Sequence, residues 1–320
     1  MPRVAALFRS PAYSPNQHRV NDTAILELTL AELARDGWEV VRVEEGALAG
    51  AADDGGPPTA VLPDAALYLN MCQGERANRR LLGLEASGAA LVNGASAILR
   101  CHRHRLVPAL AARGVRFPET EIHELAERDA DAVAAWPLVR AAAGAGRPLW
   151  IKRGDVHAER DEDVVAVAAE RVPEALAAFA ARGIARVAVQ EHVDGPVLKL
   201  YAVAGGRFFR YYDAAAGPRG ARPDVDVERL RALAFDAAAA LGLDVFGGDV
   251  ALPRPDDPVL IDLNDWPSFA PFRAEAAAAI ARHAQGVHAR TASRGAVADR
   301  SLLGPEPASG PTSELASDVA

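Results

Sequence analysis

Cysteine is scarce in this chain, with only Cys72 and Cys101 in 320 residues. Two thiols cannot build a disulfide framework or, unaided, a zinc site. Both read as small buried apolar residues, and a reducing cytoplasm is the expected setting. No apolar run approaches the roughly 18 residues that a membrane-spanning helix needs, and Met1-Pro2-Arg3-Val4 leads into an apolar strand without a signal-peptide pattern. Excess positive charge is missing too: a net charge of -8 argues against the broad basic face of a general nucleic-acid binder. Familiar nucleophile motifs are absent, with no Gly-x-Ser-x-Gly, no Walker lysine loop and no Cys-x-x-Cys. Among eight histidines only His102 and His104 stand close, and residues two apart on a helix do not face a common ion. Aromatic residues are only 6% of the chain, yet 50% is hydrophobic, enough for a large core shared among two or three lobes.

What is present is most informative near the C-terminal end. Gly247-Gly248-Asp249-Val250-Ala251-Leu252 and Val259-Leu260-Ile261-Asp262-Leu263-Asn264-Asp265-Trp266-Pro267 are apolar, β-prone arms around a Pro-rich turn at Pro253–Pro258. They read as an antiparallel hairpin, and pairing about the middle of the turn sets Asp249 opposite Asp262. Side chains alternate along a strand, so Asp262 and Asn264 join Asp249 on one face. Two carboxylates and an amide oxygen are hard ligands. They suit Mg²⁺, which keeps its other positions for water and phosphates, so Mg-ATP is the expected cargo.

Upstream, residues 1–95 alternate strand and helix as a βα layer with a parallel sheet, an α/β pattern. Polar loops after its strands, Ser10–Asn16 and Asn70–Gly74, lie where such sheets bind ligands. A helix over Ala97–Ala112 carries Arg100, His102, Arg103, His104 and Arg105; on one helix, Arg100, Arg103 and His104 would share a face able to meet a phosphate or carboxylate. Lys152 ends a strand beginning at Pro148, and the polar loop Arg153–Arg160 follows it, a segment expected to close over a phosphate. Gly205-Gly206 is a two-residue hairpin turn that sets Tyr201 opposite Arg210 and Lys199 opposite Tyr212, placing two cations and two phenols on one sheet face. Burying such a face without an anionic partner is costly, which points to a small anionic substrate. The divisions expected are 1–95, 96–195 and 196–286, followed by an aperiodic Gly/Ala/Ser/Pro tail at 287–320 expected to be disordered.

A strand lysine, an apolar strand ending in Gln190-Glu191 and a two-acid hairpin ending in acid-x-Asn, taken in that order, resemble the ATP-grasp superfamily from about Asn93 to His283. The lobe before them is similar to the pre-ATP-grasp domain. That resemblance implies an ATP-grasp fold using ATP with Mg²⁺ or Mn²⁺, two ions in the family's manner. By position, Lys152 would touch ATP phosphates; Gln190, Glu191, His192 and Val193 would form the linker that reads adenine; Asp249, Asp262 and Asn264 would hold metal. Lys199 and Arg210 would act on the acceptor or the transferring group. Where the family usually has a further phosphate-binding lysine, this chain has His104 between Arg103 and Arg105. The resemblance points both to carboxylate-amine (or thiol) ligases of the ribosomal-protein glutamate ligase kind and, through Lys199-Leu200-Tyr201 and Asp262–Phe269, to ATP-grasp inositol polyphosphate kinases. Ligase is the leading expectation, kinase the alternative and a non-catalytic nucleotide sensor the third; oligomeric state is left open.

Overall fold

The computed structural model describes residues 1–13, 19–49, 62–125, 130–155 and 160–302. The first lobe is a parallel sheet of β1 (Arg3–Phe8), β2 (Glu39–Glu44), β3 (Leu67–Asn70) and β4 (Leu91–Val92), in the order β2-β1-β3-β4. The central strands β1 and β3 are apolar on both faces because helices cover both, whereas the edge strand β2 exposes Glu39, Arg42 and Glu44. Val4, Ala6 and Phe8 pack with α1 (Arg19–Arg35), while Ala5 and Leu7 pack with α2 (Glu45–Ala49) and α3 (Glu75–Ala86).

The predicted helix over Ala97–Ala112 is two helices, α4 (Ala95–Arg100) and α5 (Arg103–Ala112), because His102 takes an extended backbone conformation between them. Arg100, Arg103 and His104 therefore do not share a helix face. Next come β5 (Thr120–Glu124), α6 (Ala130–Ala134), α7 (Pro137–Ala145), β6 (Leu149–Arg153), β7 (Val164–Val167), α8 (Val172–Ala181) and β8 (Arg186–Glu191). The strands form an antiparallel sheet, β5-β8-β6-β7, whose Leu149, Ile151, Val187 and Val189 pack under the helices. Alternation turns Trp150, Lys152, Ala188 and Gln190 to the opposite face. Residues 156–159 of the loop expected to close over phosphate lie outside the described residues.

The third sheet is antiparallel, β10-β9-β11-β12, built from β9 (Val197–Val203), β10 (Phe208–Asp213), β11 (Val245–Ala251) and β12 (Val259–Asp265). Both Gly205 and Gly206 have positive φ, at 71° and 68°, as a tight two-residue turn requires. One face packs on α9 (Val227–Leu241) and on Leu106 and Leu110 of α5. α4 packs against α3 as well as α9, and α5 bridges α9 with β5 and β8, so these two helices sit where the lobes meet.

The last helix, α10 (Arg273–Leu302), runs sixteen residues into the segment expected to be a disordered tail; residues 303–320 lie outside the described residues. Its continuation has a packing reason. Val287 packs against the core of the first lobe, and His288 stacks edge-on against Trp38 and meets the Ala66 carbonyl at 3.1 Å. Among the described residues no helix is long and apolar enough to cross a membrane.

Asn93 fastens the first lobe to the third. Its Oδ1 accepts from the backbone N–H groups of Asp244 and Val245 at 2.7 and 2.9 Å, its Nδ2 donates to the Val245 carbonyl at 2.8 Å, and its own N–H donates to Asp244 Oδ2 at 2.9 Å. Its φ of 54° is one that asparagine tolerates better than most residues. Trp266 Nε1 also donates to the Asn70 carbonyl at 2.6 Å, and Arg9 pairs with buried Asp265 at 3.6 Å.

Candidate active site

Strand pairing arranges the inner face of the third sheet in two rows. Tyr212, Lys199, Asp249 and Asp262 form one, and Arg210, Tyr201, Gly247 and Asn264 the next. The expected pairing of Asp249 with Asp262 is present. A register shift follows it, so Val250 pairs with Leu260 and Ile261 has no opposite residue. Such a bulge bends the strand and re-aims its groups.

Lys199 Nζ donates to Asp249 Oδ1 at 3.0 Å. Burial alone would lower the Lys199 pKa, but the ion pair with Asp249 outweighs it and the pKa is raised. Gly247 leaves a gap in the second row. A Cβ there would lie 2.8 Å from the Leu200 carbonyl oxygen and 2.8 Å from Pro267 Cγ, so no side chain fits. The gap opens into a cleft of about 90 Å³ lined by Lys199, Tyr201, Asp249, Asn264 and Pro267. Burial, then the hydrogen bond with Tyr212, pushes the Tyr201 phenol up, so it stays protonated. Arg210 is tied to the rim: it pairs with Glu275, donates to the Phe209 carbonyl at 2.8 Å and lies over the Phe208 ring.

From the facing sheet, Lys152 Nζ donates to the carbonyl of bulged Ile261 at 3.0 Å. Arg103, 6% exposed, donates Nη1 to the Arg153 carbonyl and Nη2 to Asp262 Oδ2, each at 2.9 Å. The flanking arginine therefore reaches the hairpin acid, and His104 does not. His104 Nδ1 is 2.9 Å from the Gly154 carbonyl, which accepts, and Nε2 receives Arg105 Nε at 3.1 Å; those partners fix the Nδ1–H tautomer. Burial lowers the His104 pKa, keeping it neutral at pH 7.

In the linker, Gln190 is buried and donates to Thr120 Oγ1 at 3.2 Å, and Glu191 Oε1 accepts the Glu119 N–H at 3.1 Å. His192 Nδ1 accepts from Trp150 Nε1 at 3.0 Å, and Arg147 holds the His192 carbonyl at 2.8 Å. Val193 follows, and Gly195 closes the linker where a Cβ would lie 2.4 Å from the Leu252 carbonyl oxygen. Two residues escaped the sequence reading: Trp150, although it alternates with Lys152, and Glu275, which carried no local signal. Both cysteines are buried, and burial pushes their thiols well above the usual value, which removes them as nucleophiles.

Burial also pushes the Lys152 ammonium down to about 8, against the upward pull of Asp262. The expectation that Lys152 touches ATP phosphates, which would favour the charged lysine, therefore predicts a nucleotide affinity that falls as pH rises through about 8, by up to about tenfold per pH unit. Trp150 is the one partly exposed tryptophan of four, and its emission can follow the titration. A flat profile from pH 7 to 9.5, or one that Lys152→Met leaves unchanged, would show that Lys152 does not meet phosphate.

Asp249, Asp262 and Asn264 fit a hard cation by donor type. Among the described residues, however, no three His, Cys, Asp or Glu side chains converge as a metal site. Two acids and an amide leave most positions to other oxygens, which suits an ion that arrives with phosphates.

No family model and no curated protein matches the chain. Solved structures do. D-alanine–D-alanine ligase from Coxiella burnetii aligns with a TM-score of 0.67 at 12% identity, covering 95% of this chain and 100% of that one. A RimK domain ATP-grasp protein from Sphaerobacter thermophilus aligns at 0.60 and 23% identity, covering 88% and 99%. The ATP complex of the Bacillus anthracis D-alanine–D-alanine ligase aligns at 0.60 and 12%, covering 92% and 99%. The chain thus shares the fold of these structures, the fold expected from the order of Lys152, the linker and the hairpin.

Proposed function

We propose that the protein is an Mg-ATP-dependent ligase that activates a carboxylate of a small anionic substrate as an acyl phosphate and passes it to an amine or thiol. The observation that carries this reading is that Arg103 reaches Asp262 of the Asp249–Asp262 pair and Lys152 reaches the adjoining Ile261 carbonyl, with Asp249 lining the cleft over Gly247. The D-alanine–D-alanine ligases and the RimK domain protein of the same fold favour ligase chemistry over phosphorylation of a hydroxyl.

In this reading Lys152 and Arg103 hold the nucleotide phosphates, and Asp249, Asp262 and Asn264 hold Mg²⁺. Bound there, Mg²⁺ supplies positive charge against the phosphate oxygens. Lys199, one strand from Asp249 and two from Asp262, steadies the negative charge on the transferring phosphoryl group. A substrate carboxylate oxygen attacks the γ-phosphorus and ADP leaves. The amine nitrogen or thiol sulfur then attacks the acyl carbon, phosphate departs and the nucleophile's proton passes to solvent. Arg210, held at the rim by Glu275, attracts the anionic substrate without reaching the phosphoryl group.

Incubation of the protein and Mg-ATP with pooled small carboxylates, with and without pooled amines and thiols, tests this reading. ADP and free phosphate should appear together, and only with both pools. A phosphorylated hydroxyl compound formed without free phosphate makes the protein a kinase. Nucleotide binding without acceptor-dependent ADP makes it a sensor.

A further inference from the structure

Asp262 is already in contact with a cation. Arg103 Nη2 lies 2.9 Å from its Oδ2, with 7% of the arginine side chain and 21% of the aspartate side chain exposed. Arg103 is not a loose surface partner, because Nη1 is fixed on the Arg153 carbonyl, at the end of the strand that carries Lys152. Its backbone is fixed as well, by the extended His102 that starts α5. Lys152 ends on the carbonyl one residue before Asp262. Asp249 is engaged in the same way, by Lys199 at 3.0 Å. Both hairpin carboxylates thus carry a protein cation at hydrogen-bond distance. A divalent ion on Asp262 would have a guanidinium beside it, and like charges at that separation repel strongly wherever water is scarce.

We infer that Arg103 is a counter-cation that holds Asp262 in the place of the metal, and that nucleotide releases the carboxylate by drawing Arg103 onto its phosphates. Metal binding at the hairpin is then conditional on nucleotide. The device transfers one guanidinium, which holds Asp262 through Nη2 alone, from a carboxylate to a phosphate, an anion it can bind through paired N–H groups. It suits a pair of acids too few to hold the ion alone, and it keeps the hairpin from collecting stray divalent ions. The inference rests on the reading of Asp249, Asp262 and Asn264 as metal ligands.

Mn²⁺ binding followed by electron paramagnetic resonance tests it without turnover. The full-length parent should bind Mn²⁺ weakly alone and tightly with a non-hydrolysable ATP analogue. Arg103→Met should gain nucleotide-independent Mn²⁺ affinity of about tenfold or more over the parent. Arg103→Gln, which keeps hydrogen-bonding groups without the charge, should do the same if the methionine variant folds poorly. Arg103→Lys should stay close to the parent, and adding Asp262→Asn to either neutral variant should erase the gain, locating the ion at the hairpin. If neither neutral variant gains affinity while the parent still takes up Mn²⁺ with the analogue, Arg103 is a structural pair only and the metal reading stands. If the nucleotide-free parent binds Mn²⁺ as tightly as with the analogue, the conditional mechanism is overturned. If Mn²⁺ binds to none of them even with nucleotide, the metal-site reading fails with it.

Discussion

Asp262→Asn is expected to lower turnover by a hundredfold or more, since it removes one of the two carboxylates proposed to hold Mg²⁺ and an outer-sphere change alone costs about 10–100-fold in metal affinity or activity. The fold should survive. Asparagine Oδ1 can still accept from Arg103, so the loss is the charge part of one partly exposed pair, about 1–3 kcal/mol, and not a cavity. ADP release and a melting curve on the same sample separate the two effects. Parent-like turnover in this variant would remove Asp262 from the machinery, and a chain that no longer melts cooperatively would make it a structural residue.

Lys199→Met is expected to lower kcat by about 10²–10³-fold while leaving ATP affinity nearly unchanged, because a fixed charge beside a transferring group acts mainly on charge developed in the transition state. The geometry supports this split. Lys199 sits on Asp249 at the edge of the cleft, whereas the phosphate contacts proposed for the ground state belong to Lys152 and Arg103. Arg210→Ala makes the contrast. Its guanidinium is held at the rim by Glu275, so the variant should raise the acceptor KM and spare kcat. Equal losses of ATP affinity and kcat in Lys199→Met would move that lysine to nucleotide binding, and a collapse of kcat in Arg210→Ala would bring that arginine to the reacting centre.

The hairpin registers were legible because short-range rules set them. Gly205-Gly206 permits one tight turn, and the Pro-rich segment between Leu252 and Val259 leaves little choice for the pairing of Asp249 with Asp262. The parallel first lobe was legible from its alternation of apolar strands and helices. Long-range pairings were not. Arg103 and Asp262 are 159 residues apart, and nothing near either residue names the other. The same holds for Arg210 with Glu275 and for Asn93 with Asp244. Periodicity also hid the break at His102, since Ala97–Ala112 keeps a helical pattern across it and only tertiary contacts turn Arg103 toward the hairpin. The extension of α10 was hidden for the opposite reason: its sequence is weakly periodic, and its partner Trp38 is remote in the chain.

Acyl activation is tested most directly by heavy-oxygen label placed in the carboxylate of a substrate that supports ADP release. The carboxylate oxygen attacks phosphorus and stays with it when the amine or thiol displaces phosphate, so one labelled oxygen should appear in the free phosphate for each molecule of product. Label retained entirely in the organic product, with unlabelled phosphate or with phosphate carried on a hydroxyl, would contradict the ligase mechanism.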